Sequence, residues 1–239
     1  MHLQSQVALV TGANRGIGRA LVQALVKAGV KKIYSTARSG DKLAQLPSDP
    51  RIVPLQVDVS DASSVAALAA SAPDVTLLIN NAGVLDFGPV LDAPLTAFER
   101  NFATNFYGVL HMSRAFAPVI ERSGGGAIVN VLTLVALASM PGLGVYNASK
   151  AAAWSLTQSM RANLASRKIE VYGVFPGAVD TDMLAGVEMP KTGPADVADA
   201  ILRGLTESSE DIFPDSMSSG LYAAWKADHK AVEKQFGTL

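Results

Sequence analysis

The sequence predicts an α/β fold built on a doubly wound, mainly parallel sheet, and three observations predict it. Short apolar runs alternate with longer amphipathic stretches from one end of the 239-residue chain to the other. The most apolar runs lack the in/out alternation of a half-exposed strand, which is the pattern of strands covered on both faces. The stretches between them, such as 15–28, 94–121 and 146–167, are long enough to be crossover helices.

The first strand is "VALVT" (7–11), and it runs into "TGANRGIG" (11–18), a turn rich in glycine that opens the helix at 15–28. "KIYSTA" (32–37) is the second strand and "IVPLQV" (52–57) the third, with a helix starting near Ser60. "TLLIN" (76–80) precedes the long helix at 94–121, and "AIVNVLT" (127–133) the helix at 146–167. "EVYGVF" (170–175) and "DIF" (211–213) complete seven strands. The loop around 183–194 is the expected mobile piece, and beyond Pro214 a helix-like tail, 220–236, carries apolar residues with no single evident role. No repeat, low-complexity tract or linker divides the chain, so residues 1–239 are expected to form a single domain.

Composition narrows the function. Twenty basic and 21 acidic side chains give a net charge of −1 without blocks of one sign, which leaves no electrostatic footprint for nucleic acid or a membrane and makes a small molecule the expected partner. The absence of cysteine excludes disulfides, thiolate metal sites and a cysteine nucleophile; His2, His111 and His229 are too scattered to suggest a metal cage, so no metal is expected. The start lacks a signal-like apolar stretch, and a cytoplasmic location is expected. Residues 123–149 carry no charge and are long enough to span a bilayer, but Asn130, Pro141, Gly142, Gly144 and Asn147 suit a strand, a loop and a helix start better.

The glycine turn is the first chemical feature. Gly12, Gly16 and Gly18 allow a tight turn, a close backbone approach to ligand and close helix packing; Asn14, Arg15 and Ile17 lie among them, and the helix N-terminus offers N–H donors to phosphate. After strand one of an alternating chain this reads as a dinucleotide site. A carboxylate for a ribose 2′-hydroxyl is expected about twenty residues on, yet that slot holds Ala37 followed by Arg38. Arg38 and Arg15 suit a 2′-phosphate, so NADP(H) is preferred, with NAD(H) as the second option. Asp58 and Val59 follow strand three and suit the adenine, with a cap for the helix starting near Ser60 as a nearly equal alternative for Asp58. Asn81, Ala82 and Gly83 end strand four, the small pair admitting a cofactor and Asn81 serving either a turn or a ribose.

Tyr146 and Lys150 stand four apart, one helical turn on the same face, where an ammonium would favour phenolate and fit the tyrosine for proton transfer. Thr133 lies thirteen residues before Tyr146. Ser209, Tyr222 and Lys226 repeat the spacing, but Ser209 precedes a strand whereas Thr133 closes one, and open α/β sheets bind ligands at the carboxyl edge. The second set is expected to be a packed terminal helix. Phe87, Val135, Leu137, Met140, Leu143, Met183 and Leu184 lie in loops or strand ends that should face the reacting centre, which makes an apolar substrate pocket the expectation.

With "TGANRGIG", "NNAG" and "YNASK" in this order, the chain resembles the short-chain dehydrogenase/reductase family over Val7 to Phe213. The resemblance implies a Rossmann-like sheet of seven mainly parallel strands with helices on both faces, reduction of a ketone or aldehyde (or oxidation of a secondary alcohol) with NADP(H), and a homo-oligomer, tetramer or dimer. It implies that Tyr146 is the acid/base, that Lys150 lowers its pKa and holds a ribose, and that Asn105 in "ATNFYG" supports a water-linked proton path. In "PGAVDT" it places Pro176, Gly177, Val179 and Thr181 against the nicotinamide. Thr133 stands where the family has a substrate-orienting serine; it keeps the hydroxyl but adds a methyl and a stiffer χ1. A non-catalytic NADP(H)-sensing protein is the alternative reading, and a sugar-nucleotide epimerase is a third, disfavoured by the short stretch after Phe175.

Overall fold

The computed structural model describes residues 1–238 and arranges seven parallel strands in one sheet of order β3-β2-β1-β4-β5-β6-β7. These are β1 (Val7–Val10), β2 (Lys32–Ala37), β3 (Ile52–Gln56), β4 (Leu77–Asn80), β5 (Gly126–Val131), β6 (Ile169–Val174) and β7 (Asp211–Ile212). The strands expected at 127–133 and 170–175 each end earlier, at Val131 and Val174, because the chain turns out of the sheet to build loops at its carboxyl edge. The order runs outward in both directions from β1 and β4, so a crevice opens at that edge between them.

Helices α1 (Gly16–Lys27) and α7 (Pro194–Thr206) cover one face, where Leu21, Leu25, Ile201 and Leu205 are fully buried against Ala8, Val10, Ile79 and Val129. The opposite face is covered by α3 (Ala62–Ser71), α5 (Gly108–Arg122) and α6 (Gly144–Leu164), with Phe116 and Met112 packed on Leu9, Leu78 and Ile128. Short α2 (Gly40–Leu43) follows β2, and α4 (Leu95–Phe102) leads into α5. The single helix expected at 94–121 is interrupted by a wide turn over Ala103–Tyr107, which takes an extra residue and carries Asn105 inward.

The tail forms α8 (Ser216–Ala227) and α9 (His229–Phe236), which meet at Asp228. Its apolar residues have a definite place: Val232 and Phe236 of α9 are buried against Leu134, Val135 and Tyr146. Among the described residues no helix is long and apolar enough to cross a membrane, and 123–149 divides into β5, a loop and the start of α6.

A buried polar ladder locks the centre of the sheet. Asn80 Nδ2 donates to Asn130 Oδ1 (2.9 Å), and Asn130 Nδ2 donates to Thr157 Oγ1 (2.9 Å) on α6. All three residues are nearly or wholly buried, so each lost partner leaves a group that water cannot reach. Asn130→Ala is therefore expected to destabilise the protein by about 2 kcal/mol or more, read from denaturant unfolding. An unchanged midpoint would show that the ladder carries no stability.

Candidate active site

The carboxyl edge of the sheet carries a cleft of about 460 Å³ that runs from the glycine turn to α6. Gly12, Asn14, Arg15, Gly16 and Ile17 line one end, Asp58, Val59, Ala82 and Gly83 the middle, and Thr133, Tyr146, Lys150, Pro176, Gly177, Val179 and Thr181 the other end. The residues that the sequence assigns to cofactor and chemistry thus come together, with two exceptions. Gly18 lies behind the turn, where a Cβ would collide with the Gly12 carbonyl oxygen and with Asn81, so it serves helix packing. Asn105 is fully buried beneath the cleft.

The turn is built for a phosphate. Gly12 and Gly16 take φ of +64° and +52°, and a Cβ on Gly12 would sit 3.1 Å from Ala82 Cα. Arg15 is the N-cap of α1 and makes no side-chain cap bond, so the first-turn amides of that helix have no side-chain acceptor and stay open to an anion. Asn81 lines the cleft and also braces the turn: its Nδ2 donates to the carbonyls of Thr11 (2.9 Å) and Gly12 (3.2 Å). The Thr11 hydroxyl accepts from the amides of Asn81 and Ala82, both at 3.0 Å, which fixes β4's end against β1's.

Next to the turn, Ala37 and Arg38 line the cleft together with Lys42 from α2, a third cation that sequence reading missed because nothing in a four-residue helix marks it. Arg15 pairs with Asp182 at 3.0 Å, both well exposed, a pair worth little to stability. Asp58 is not the cap of α3; that is Asp61, whose side chain accepts from Ser63 N at 2.8 Å. Asp58 instead closes a turn on Ser60, accepting from its amide (3.0 Å) and hydroxyl (2.6 Å), while still lining the cleft.

At the other end, Tyr146 and Lys150 sit on the buried side of α6. Lys150 Nζ donates to the Val131 carbonyl at 2.7 Å and lies 5.9 Å from the centre of the Tyr146 ring. Burial pulls the Lys150 pKa down to about 8. Burial pushes the Tyr146 phenol up to about 12, with a contact from the Thr133 hydroxyl as the one opposing influence. The lowering of the tyrosine by Lys150 that the spacing suggests is thus absent here: the ammonium is turned to a backbone carbonyl and desolvation prevails.

Thr133 stands two residues past β5, capping a short turn at Leu134–Ala136. Its Oγ1 lies 3.5 Å from the Pro176 carbonyl and 3.4 Å from Val135 N. Asn105 Nδ2 donates to the Val84 carbonyl and to Ser149 Oγ, both at 2.9 Å, and its Oδ1 accepts from Val84 N at 3.0 Å. It makes no hydrogen bond to Lys150, and instead ties the loop after β4 to α6.

Phe87, Val135, Met140, Leu143, Met183 and Leu184 line the cleft as expected. Leu137 does not: it packs away from the cleft with Leu132 and Phe175. Leu85, Leu134, Val187, Met189 and Met217 line it as well, brought in by loops and by α8 from positions that no local motif marks. In the second Tyr/Lys pair, Tyr222 stacks on Phe213 with ring centres 4.0 Å apart, the packed terminal helix that the sequence suggests.

A doubly wound parallel sheet with a phosphate-ready glycine turn at its carboxyl edge defines a Rossmann-type dinucleotide-binding protein. The model of the short chain dehydrogenase family matches residues 6–191, and the chain belongs to the short-chain dehydrogenase/reductase family. It is 38% identical over 184 residues to carbonyl reductase (NADPH) 2 from Sus scrofa, covering 77% of this chain and 75% of that one. A short chain dehydrogenase from Burkholderia cenocepacia, solved in complex with NADP, superposes with a TM-score of 0.93 at 36% identity over 99% of both chains. A second relative, from Burkholderia phymatum in complex with NAD, gives a TM-score of 0.86 at 26% identity over 98% of this chain and 96% of that one.

The buried ammonium has a measurable cost. Because the folded pKa of Lys150 lies below the ordinary 10.5, folding is penalised by about 3 kcal/mol wherever the amine is charged in both states, below about pH 8. The penalty fades between pH 8 and 10.5, where only the unfolded chain still takes up the proton. Lys150→Met, melted without added cofactor, is expected to exceed wild type in stability at neutral pH by a margin that shrinks as pH rises through that window. A margin independent of pH would contradict the assignment.

Proposed function

We propose that this protein is an NADP(H)-dependent carbonyl reductase acting on a largely hydrophobic ketone or aldehyde, or on the corresponding secondary alcohol in reverse. The single observation that carries the reading is the convergence, in one cleft, of the phosphate-ready turn at Gly12–Gly16 with the buried Tyr146, Lys150 and Thr133. The chain acts in this reading as one domain of 1–239, cytoplasmic and homo-oligomeric, the last in keeping with the exposed apolar Leu91, Leu95 and Tyr107 around α4 and α5.

The residues of the turn fit a pyrophosphate, and Arg15, Arg38 and Lys42 fit a 2′-phosphate, with no carboxylate in the slot at Ala37 to repel it. Asp58 and Val59 would flank the adenine, and Pro176, Gly177, Val179 and Thr181 the nicotinamide. The bound cofactor supplies the hydride. The NADPH-dependent relative from Sus scrofa and the NADP complex from Burkholderia cenocepacia support this preference, and the NAD complex from Burkholderia phymatum keeps NAD(H) as the secondary cofactor.

The chain's own residues then do the following. Tyr146, a neutral phenol at neutral pH, donates its proton to the carbonyl oxygen as charge develops there. Thr133 donates a second hydrogen bond to that oxygen and fixes its position. Lys150 would hold the ribose and, turned from the Val131 carbonyl toward the phenol, would favour the phenolate left behind, and Asn105 keeps the loop after β4 and α6 in register beside it. Val135, Leu143 and Met183 exclude water and select an apolar substrate.

A carbonyl panel followed by NADPH absorbance is the test. Turnover by the wild type, with a fall of about a hundredfold or more in kcat for Tyr146→Phe, is expected. Tight NADPH binding with no turnover across the panel would favour a cofactor-sensing protein instead. Thr133→Ser is expected to keep most activity, whereas Thr133→Val loses about tenfold or more; equal activity of the valine variant would remove Thr133 from the mechanism.

Cofactor choice is tested separately. Arg38→Ala and Lys42→Ala should each raise KM for NADPH, the arginine variant by about ten- to a hundredfold, and leave KM for NADH nearly unchanged. Ala37→Asp should shift preference toward NADH. An unchanged preference in all three variants would sink the 2′-phosphate assignment.

A further inference from the structure

The segment after residue 191 lies outside the matched family model, yet it reaches into the site. Asp215 is the N-cap of α8, and its two carboxylate oxygens face different ways. Oδ1 accepts from Ser218 N at 2.8 Å, in a capping box that Ser218 completes from its own hydroxyl. Oδ2 accepts from the backbone N–H of Gly177 at 2.8 Å, across 38 residues of sequence. Capping uses one oxygen; the other is spent on the loop that follows β6.

That loop is the one on which Thr133 rests. Pro176, next to Gly177, presents its carbonyl to Leu134 N at 3.0 Å and to Thr133 Oγ1 at 3.5 Å. The fit around Gly177 is close: a Cβ there would lie 2.8 Å from Asp215 Oδ1, 3.0 Å from Met217 Sδ and 3.2 Å from Leu134 Cδ2. A chain of contacts thus runs from Asp215 to Gly177, to the Pro176 carbonyl, to the hydroxyl of Thr133. A hydrogen bond to a carboxylate is about twice as strong as one between neutral groups, so this strut resists movement of the bend more than the cap alone would.

We propose that Asp215 is a positioning residue for the reductase reaction: by holding the Gly177 amide it sets the Pro176–Gly177 bend and, through it, the place of Thr133 Oγ1, whose one proton turns from the long 3.5 Å contact with the Pro176 carbonyl to the substrate oxygen. The inference rests on the role given to Thr133 and Tyr146 under the proposed function. Asp215 itself does not line the cleft, so it acts through its neighbours. The cap of α8 thereby braces the loop that follows β6.

The test uses Asp215→Ser, Asp215→Asn and Ser218→Ala in the full-length protein. Serine still caps α8 but is too short to span to Gly177; asparagine has a single acceptor oxygen for two donors. Ser218→Ala weakens the same cap and leaves the bond to Gly177 in place. Both Asp215 variants are expected to lose about tenfold in kcat with little change in KM for NADPH, and Ser218→Ala to melt lower with kcat unchanged.

In a Thr133→Val background the Asp215→Ser change should cost almost nothing further in kcat, because the group it positions is gone. Wild-type kcat in Asp215→Ser, a kcat loss in Ser218→Ala equal to its own, or full additivity with Thr133→Val would each overturn the proposal. Failure of the underlying reading looks different: Tyr146→Phe would then be as active as wild type, whatever Asp215 does.

Discussion

A buried ammonium cannot be left without an acceptor, and Lys150 meets that demand with the carbonyl of Val131, the last residue of β5, at 2.7 Å. This bond pins the first turns of α6 to the carboxyl end of the central sheet. Tyr146, one turn earlier on the same helix, is thereby held over the crevice with its ring buried and its hydroxyl beside Thr133. Two turns farther on, Thr157 takes the bond from Asn130, so α6 is tied to β5 twice by polar groups that water cannot replace. The cofactor turn, fixed to β4 by Asn81 and Thr11, is positioned independently on the other side of the same crevice.

The electrostatic consequence runs against the simplest expectation from sequence. Desolvation pushes Tyr146 up to about 12 and pulls Lys150 down to about 8, both toward their neutral forms. A neutral phenol is the form that donates a proton to a reduced carbonyl. Under the proposed mechanism, a positive charge near the phenol would favour the phenolate needed in the reverse direction.

Much of this was legible in the chain itself. Seven apolar runs gave seven strands, and the glycine turn, Asn81–Gly83 and Tyr146/Lys150 all line or brace one cleft, because motifs at strand ends fall on one edge whenever the strands are parallel. The decoy at Tyr222 and Lys226 was separable by the same logic. What could not be read was direction within irregular segments. Leu137 and Val135 are two residues apart in an apolar run, and the short turn at Leu134–Ala136 leaves Leu137 half-buried against Leu132 and Phe175 while Val135 is buried beside the cleft it lines. Lys42 and Met217 reach the cleft from α2 and α8, Asp215 braces it from the cap of α8, and no local pattern announces a contact that spans 38 residues, as between Asp215 and Gly177. The wide turn at Ala103–Tyr107 was likewise hidden, since the Asn105 within it pairs with Val84 on another loop.

The state of one phenol tests the account most directly. With tyrosine labelled at Cζ, the resonance that disappears in Tyr146→Phe should titrate near 12 in the protein alone and at lower pH once NADP⁺ is added, because the cofactor brings positive charge beside a desolvated hydroxyl. A Tyr146 resonance that titrates at the ordinary value of 10.0 and does not respond to NADP⁺ would contradict both the burial and the shared cleft on which the mechanism rests.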